Sequence, residues 1–407
     1  MIKMTHEQLQ EAFDAHAATG SQQAAAAKVG VSRTTLQCRL KEAERQGYTV
    51  SPNVESHDNV THLQSKVKRL ESALRDSQQE RVDHAMIKSK IIGLTRSVED
   101  LETPAWLIKS PRKNDSPGVP TLMVSDLHWG EVVDPKQING VNEYNLEIAH
   151  RRFERLAERT IRLLGIISPF FNYPGIVVPL GGDMITGNIH DELTATNEVN
   201  SMPAVLDLFE TLGTFIETLL TKFPKIFLPC VTGNHGRDTK KIWGKDRHHT
   251  SFDWLLYCFL AKHFAKDARV TFFIPDGPDA YYKVYEHRYL LSHGDSFRGG
   301  DGIIGPLGPL VRGDHRKRSR NAQINMEYDT LLVGHFHTHM QLTRLIVNGS
   351  TKGYDEYAYR ENFPYEPPQQ ALWLTHPKHR ITFRMPVMLE ETAKDTTSEW
   401  VSVEKKR

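Results

Sequence analysis

Five short segments carry the residues that could do chemistry: SDLHWG at 125–130, GGDMITG at 181–187, TGNHGR at 232–237, SHGD at 292–295 and GHFHTH at 334–339. They supply Asp126, His128, Asp183, Asn234, His235, His293, His335 and His337. Carboxylate, imidazole and amide oxygen without thiolate are donors for Mn²⁺, Fe, Zn²⁺ or Co²⁺, and differ from those of an iron–sulfur cluster or a structural zinc knot. The set is large enough for two ions. Singly, His293 reads as a hydrogen-bonded structural histidine and Asp126 or Asp183 as a cap on the following turn. The conjunction of five segments removes that plainer reading for the whole set.

Each segment follows a short apolar run: VPTLMV before Asp126, GIVVPL before Asp183, KIFLPCV before Asn234, YLL before His293 and TLLV before His335. Runs of that length bounded by Gly, Pro or Asn predict buried strands. The donors then lie where strands end, the usual place for sites in open α/β sheets. Helical patterns at 143–168, 203–222 and 249–265 alternate with these strands, and MQLTRLIVNGS, QALWLTH and RITFRMPV predict three more strands late in the chain. That alternation predicts an α/β layered architecture.

The order Asp-x-His, Gly-Asp, Gly-Asn-His, His and Gly-His-x-His resembles the calcineurin-like metallophosphoesterase superfamily, over roughly residues 119–350. The resemblance implies two mixed β-sheets packed face to face and flanked by helices. It also implies that Asp126, His128 and His337 bind one metal ion, that Asn234, His293 and His335 bind the other, and that Asp183 bridges them. Two divalent ions, Mn²⁺ first among Mn²⁺, Fe, Zn²⁺ and Co²⁺, would deliver a bridging hydroxide to phosphorus and clamp the leaving oxygen. His235 corresponds to the family's non-ligand histidine, which steadies transition-state charge or protonates the leaving group.

One departure stands out. The family histidine is usually followed by an acid, whereas His235 is followed by Gly236 and Arg237, with Asp238 two residues on. Asp238 is a candidate to orient His235 in place of the missing acid. Arg237 either grips a phosphate oxygen or pairs with Asp238 at the surface. His339, the last histidine of its segment, is expected outside the ligand set.

The chain has 407 residues, 51 Lys+Arg against 50 Asp+Glu and three cysteines. Such a length suits two or three domains. Balanced charge exerts no global pull on nucleic acid, so any pull is local. Cys38, Cys230 and Cys258 have no paired spacing, which fits a reducing cytoplasmic setting and no disulfide framework. No run approaches the roughly 18 apolar residues of a membrane span, and no export signal is recognisable. A soluble cytoplasmic protein is expected.

Residues 1–48 form a distinct head of three predicted helices, ending at Gly20, Gly30 and Gly47, the second and third starting at Ser21 and Ser32. Ala26, Gly30, Val31, Ser32, Thr35 and Leu36 resemble a bacterial helix-turn-helix. That resemblance implies that Ser32, Arg33, Thr34, Gln37 and Arg39 face DNA while Val31, Leu36 and Leu40 face the core. A packing module or a protein-binding head is the alternative.

Residues 49–118 read as linkers around a short coiled-coil-like helix, in which Val60, Leu63, Val67, Leu70 and Leu74 form either a seam for a homodimer through 60–75 or the apolar face of a single helix lying on the phosphoesterase domain. The metallophosphoesterase domain is expected at 119–390 and a polar tail at 391–407. Two basic stretches suggest a polyanion groove: Arg237, Lys240, Lys241, Lys245 and Arg247 around Trp243, and Arg312, Arg316, Lys317, Arg318 and Arg320 within a glycine-rich insertion. The plain alternative for the second is a solvated helix face. The function expected is metal-dependent phosphodiester hydrolysis, with a DNA nuclease of the repair-exonuclease kind in first place. Behind it stand a phosphoesterase for a small ester or cyclic nucleotide, and a non-enzymatic DNA-binding module.

Overall fold

The structure is a computed structural model that describes residues 4–49, 103–108, 117–297 and 305–390. The expected seam at 60–75, the linkers at 50–102 and 109–116, the insertion residues 298–304 and the tail at 391–407 lie outside the described residues. Contacts divide the chain into two units, one holding residues 4–49 and the other residues 103–390.

In the first unit, α1 (His6–Thr19), α2 (Gln22–Val29) and α3 (Arg33–Arg45) pack around small side chains. Thr5 and Gln8 form a reciprocal capping box at the start of α1, and Gly20 and Gly30 end α1 and α2 in the left-handed conformation that glycine adopts without steric cost. Ala12, Ala15, Ala25, Ala26, Leu36 and Leu40 form the core, with Val31 packed at its edge. Helix α3 stops at Arg45, two residues before Gly47.

The second unit begins with one helical turn, α4 (Ala105–Ile108), and then builds two sheets. The first sheet contains β1 (Val119–Leu122), β2 (Ile176–Val177), β3 (Ile226–Pro229), β4 (Val270–Phe273), β10 (Gln369–His376) and β11 (Arg380–Met388), in the order β11-β10-β1-β2-β3-β4. The second contains β5 (Asp279–Val284), β6 (His287–Ser292), β7 (Thr330–Val333), β8 (Met340–Gln341) and β9 (Leu345–Val347), in the order β5-β6-β7-β9-β8. Both are mixed: β1, β2, β3 and β4 run parallel, as do β6, β7 and β9, with antiparallel strands at the margins.

Side-chain alternation makes the layers. Along β6 and β7, Tyr289, Leu291 and Leu332 join Val119, Val177, Phe227 and Trp373 of the first sheet in one apolar cluster between the sheets. Leu290, Leu331 and Val333 point the other way, onto Leu310 of α9 (Leu307–Gln323). The outer face of the first sheet is covered by α5 (Leu146–Ile167), α7 (Ser201–Leu220) and α8 (Phe252–His263). Helix α5 buries Ala149, Phe153, Leu156, Ala157, Thr160 and Leu164, the three-and-four spacing of an amphipathic helix. Two short helices, α6 (Asp191–Thr196) and α10 (Glu356–Arg360), lie in connections. The fold is therefore α/β, two mixed sheets flanked by helices, preceded by N-terminal helices. No described helix is long and apolar enough to cross a membrane.

Candidate metal centre

The donor residues leave the sheets at one edge. Asp126 follows β1, Asp183 follows β2, Asn234 follows β3, His293 follows β6, and His335 and His337 follow β7. Parallel strands make this possible, because their carboxyl ends share an edge. Asp126, His128, Asp183, His335 and His337 all have positive φ, between 48° and 66°. Such backbone costs about 1–3 kcal/mol per residue and persists only where surroundings enforce it.

The side chains converge in three overlapping groups of donor atoms lying within 4.8 Å of one another: Asp126, His128 and His337; His128, Asp183 and His235; and Asp183, His293 and His335. Asp183 belongs to two groups, the position a bridging carboxylate needs. Asn234 Oδ1 lies 3.1 Å from His293 Nε2, which places the amide with the third group. All seven ligands expected from the sequence are thus brought together. His128 Nε2 is 3.0 Å from His337 Nε2, and His337 Nε2 is 3.5 Å from Asp126 Oδ1. Two imidazole nitrogens converging beside a carboxylate fit a shared cation in chemistry and in spacing. The clustered His and Asp side chains form a candidate binuclear divalent-metal site, and the donor set does not choose among Mn²⁺, Fe, Zn²⁺ and Co²⁺.

Burial sets the protonation pattern. Desolvation holds His128 well below its ordinary value, and the nearby charge of Lys352 acts the same way. His335 is lowered to about 4, first by burial and then by His293. Burial alone would lower His293 too, but the Asp183 carboxylate 3.0 Å away reverses this and pushes it up to about 10. Burial opposes ionisation of Asp183, yet His293 and His235 keep its carboxyl well below the usual range.

The supporting hydrogen bonds cross-link the segments. Ser125 Oγ donates to Asp126 Oδ2, and the His335 N–H donates to Asp126 Oδ1 at 2.8 Å. The His235 N–H donates to Asp183 Oδ1 at 2.7 Å. His293 Nδ1 faces Gly181 O at 2.9 Å, which directs Nε2 at the donors. A Cβ on Gly233 would overlap the Asp183 carboxylate, so close approach demands glycine there.

His235 sits at the mouth of the cluster with Nδ1 3.0 Å from Thr186 O. That carbonyl takes the orienting place expected of Asp238, whose exposed residue instead donates its backbone N–H to Thr250 O at 2.9 Å. A Cβ on Gly236 would come 2.6 Å from Asp253 Oδ1. Asp253, from the first turn of α8, therefore fills the space that an acid at 236 would need. Its carboxylate accepts from the N–H groups of Asp183 and Met184 at 3.1 Å and of Gly233 at 2.9 Å. It is fully buried, and burial, then the charge of Asp183, pushes it up to about 6.

Sequence reasoning missed Asp253, Thr186 and a buried charge network behind His128. Lys352 Nζ lies 2.7 Å from Glu131 Oε1 and 2.5 Å from Asp355 Oδ2. Glu131 Oε2 is 3.4 Å from His128 Nδ1, long for a hydrogen bond but close enough for its charge to favour that tautomer. Glu131 stood three residues after His128 in the sequence, which was the available signal. An acid in the first turn of a helix such as Asp253 reads as ordinary dipole compensation.

The expected substrate residues fare unequally. Arg237 donates to Asn234 O at 2.6 Å, Thr239 O at 3.0 Å and Lys240 O at 3.4 Å, bracing the loop that holds Asn234. Lys240, Lys241 and Lys245 are exposed, and Trp243 is 54% exposed among them. On α9, Arg312 and Arg316 are exposed. Arg318 is not placed for substrate at the centre, because its guanidinium is spent on Asp314 at 2.8 Å and on Tyr328 O at 2.9 Å. Lys317 and Arg320 both bond Asp279, at 2.5 and 2.9 Å. In the head, Arg33, Thr34 and Gln37 are exposed on α3 and Arg39 is half-buried. Ser32 Oγ caps α3 by accepting from the Thr35 N–H at 3.2 Å. His339 is half-buried, with Nε2 3.2 Å from Gln341 Nε2, outside the donor groups.

No protein-family model and no curated protein matches the chain. Among solved structures, the chain is similar to a Vps29 single mutant from Entamoeba histolytica, at 12% identity and a TM-score of 0.27, over 66% of this chain and 99% of that one. It is similar to a conserved uncharacterised protein from Streptococcus pneumoniae, described as a predicted phosphoesterase, at 9% identity and a TM-score of 0.25, over 67% and 98%. It is also similar to the sulfate thiohydrolase SoxB of Thermus thermophilus, at 10% identity and a TM-score of 0.27, over 69% of this chain and 57% of that one. Likenesses of that strength assign no activity to this chain.

Proposed function

We propose that the chain is a metal-dependent phosphodiester hydrolase of the calcineurin-like metallophosphoesterase type, and that its substrate is DNA. The observation that carries the hydrolase assignment is the convergence of the donors on both sides of Asp183. Asp126, His128 and His337 would hold one divalent ion, Asn234, His293 and His335 the other, and Asp183 both. When bound, such a pair supplies Lewis acidity toward phosphoryl oxygens and a nucleophile at neutral pH.

The chain's own residues do the rest. The hydrogen bonds from the N–H groups of His335 and His235 keep the two carboxylates aimed at the donors, so little reorganisation accompanies the reaction. His235 presents Nε2 because Thr186 O holds Nδ1. Burial lowers its pKa, and the negative charge of a bound phosphodiester acts against that shift. In that complex His235 can protonate the leaving oxygen through Nε2.

The DNA assignment draws support from the exposed Lys240, Lys241, Lys245 and Trp243 on the loop that holds Asn234, since cationic side chains around an exposed indole suit a single strand. Arg312 and Arg316 add positive charge on α9. In the head, the exposed Arg33, Thr34 and Gln37 of α3 would contact duplex DNA as a helix-turn-helix does. Incubating chelator-stripped chain with bis-p-nitrophenyl phosphate and with labelled single- and double-stranded DNA, with and without Mn²⁺, tests this. Metal-dependent cleavage of both substrates is expected. Hydrolysis of the small diester with DNA left intact would make a small phosphoester the substrate and the head a protein-binding module.

A further inference from the structure

Strands β6 and β7 deliver His293 and His335 just past their carboxyl ends, and the opposite ends of the same strands border a second cavity of about 600 Å³. His287 starts β6 and lines this cavity. At about 3.3 Å per residue, the six steps from His287 to His293 separate the cavity from the candidate metal centre by about 20 Å. It therefore has no part in holding the metal ions.

Its walls are strongly basic. Arg288, Arg318, Arg344, Arg380 and Arg384 line it with two carboxylates, Glu327 and Asp329, and Asp314 pairs Arg318 at 2.8 Å from outside the lining, which leaves two positive charges in excess. Arg288 engages both acids, at 3.3 Å each. Arg318 is held by Asp314 and by Tyr328 O at 2.9 Å and so builds the wall, while Arg384, used on Leu342 O at 2.8 Å, also lends it charge. Arg344 and Arg380 are exposed and have no acidic partner among the described residues. Arg380, the first residue of β11, has a φ of 60°, an unfavourable backbone for a long side chain.

His287 supplies a second, independent observation. It is 7% exposed, its Nε2 lies 2.9 Å from Thr330 Oγ1, and its buried Nδ1 has no hydrogen-bond partner. Burial lowers it to about 4, against the pull of Asp329, and Arg380, Arg384 and Arg288 lower it further. An imidazole so placed registers the positive field of the cavity. A site of this volume suits a small ligand. An excess of two positive charges suits a multiply charged one, and guanidinium forks match the oxygens of phosphate.

We infer that this cavity is a second anion site, remote from the metal centre, which takes a phosphoryl anion between Arg344 and Arg380 beside His287. The phosphate can belong to a small polyphosphate or to the backbone of a nucleic-acid strand. Isothermal titration of the full chain with inorganic pyrophosphate, before and after adding a chelator, isolates binding that does not run through metal ions. One chelator-insensitive site is expected, weakened at least ten-fold in the double variant Arg344→Gln, Arg380→Asn. Asparagine is chosen because it tolerates the left-handed backbone at 380. If this variant melts early, the single variants Arg344→Gln and Arg380→Asn are each expected to weaken the site. Competition by a short single-stranded oligonucleotide would identify strand phosphate as the ligand, and its absence a small polyphosphate. Lack of any chelator-insensitive site, or equal affinity in a normally folded variant, overturns the inference. Neither result bears on the hydrolase assignment, which stands on the other edge of the sheets.

Discussion

Asp253 ties the loops of Asp183 and Asn234 to helix α8, and two substitutions there separate its hydrogen bonds from its charge. Asp253 Oδ2 accepts from the Asp183 and Gly233 N–H groups and Oδ1 from that of Met184. In Asp253→Asn the amide oxygen can keep the two bonds at Oδ2, leaving the Met184 N–H against an NH₂ group. In Asp253→Ala all three donors are orphaned. A buried unsatisfied donor costs about 1–3 kcal/mol, so Ala should be the less stable by about 2–6 kcal/mol, the lower end applying if water enters the vacated space. Both variants also remove a carboxylate pushed up to about 6 from an ordinary 3.8, and keeping it ionised at pH 7 costs about 3 kcal/mol at about 1.4 kcal/mol per pH unit. That relief is common to both, so it cancels in their difference and leaves Asn close to wild type. All six tryptophans lie beyond residue 103, so urea unfolding followed by tryptophan fluorescence reports on the second unit alone. Metal content should fall in Ala, because the loops carrying Asp183 and Asn234 lose a common anchor. Variants within about 0.5 kcal/mol of each other, each with wild-type metal content, would refute the role of Asp253 as that anchor.

The candidate donor residues were legible because chemistry marks them: Asp, Asn and His after apolar runs stand out by type, and the resemblance grouped them as a set. Strands β1, β3, β6, β7 and β10 and helices α5, α7 and α8 were legible from period and length. Strand β4 and edge strand β5 were not, since VTFF and DAYYKV carry no donor and little alternation signal. Charge roles were the least legible. Arg237 and Arg318 look alike in sequence to Lys240 and Arg316, but the first pair is committed to backbone carbonyls and the second is exposed. A basic run does not say which members will meet a carbonyl, because that depends on chain segments distant in sequence, such as Tyr328 for Arg318. Asp253 shows the same limit at the site itself. The acid absent at 236 has its space filled from a helix 17 residues on, and only the fold brings Asp253 against Gly236.

Three further outcomes are expected. Asp183→Asn should abolish hydrolysis of bis-p-nitrophenyl phosphate in a protein that still folds, as judged by circular dichroism; wild-type turnover would end the binuclear assignment. His235→Ala should slow cleavage of DNA, whose alkoxide leaving group needs a proton, by about 10²–10⁴-fold and of the nitrophenyl ester far less; equal losses on both would assign His235 to charge stabilisation instead. The last outcome concerns acid stability at His287. Its folded value, lowered to about 4 chiefly by burial, lies below the ordinary 6.5, so the unfolded chain binds more protons between those limits. Its contribution is fully present above pH 6.5 and is lost as pH falls toward 4, by at most about 3.5 kcal/mol at about 1.4 kcal/mol per pH unit and by less where solvent screens the ring. Other buried histidines titrate in the same range, so the measurement is the difference between wild type and His287→Asn, in urea unfolding at successive pH values. The variant should lose less stability on acidification, and curves that stay parallel from pH 7 to pH 4.5 would show that His287 is not held neutral by its surroundings.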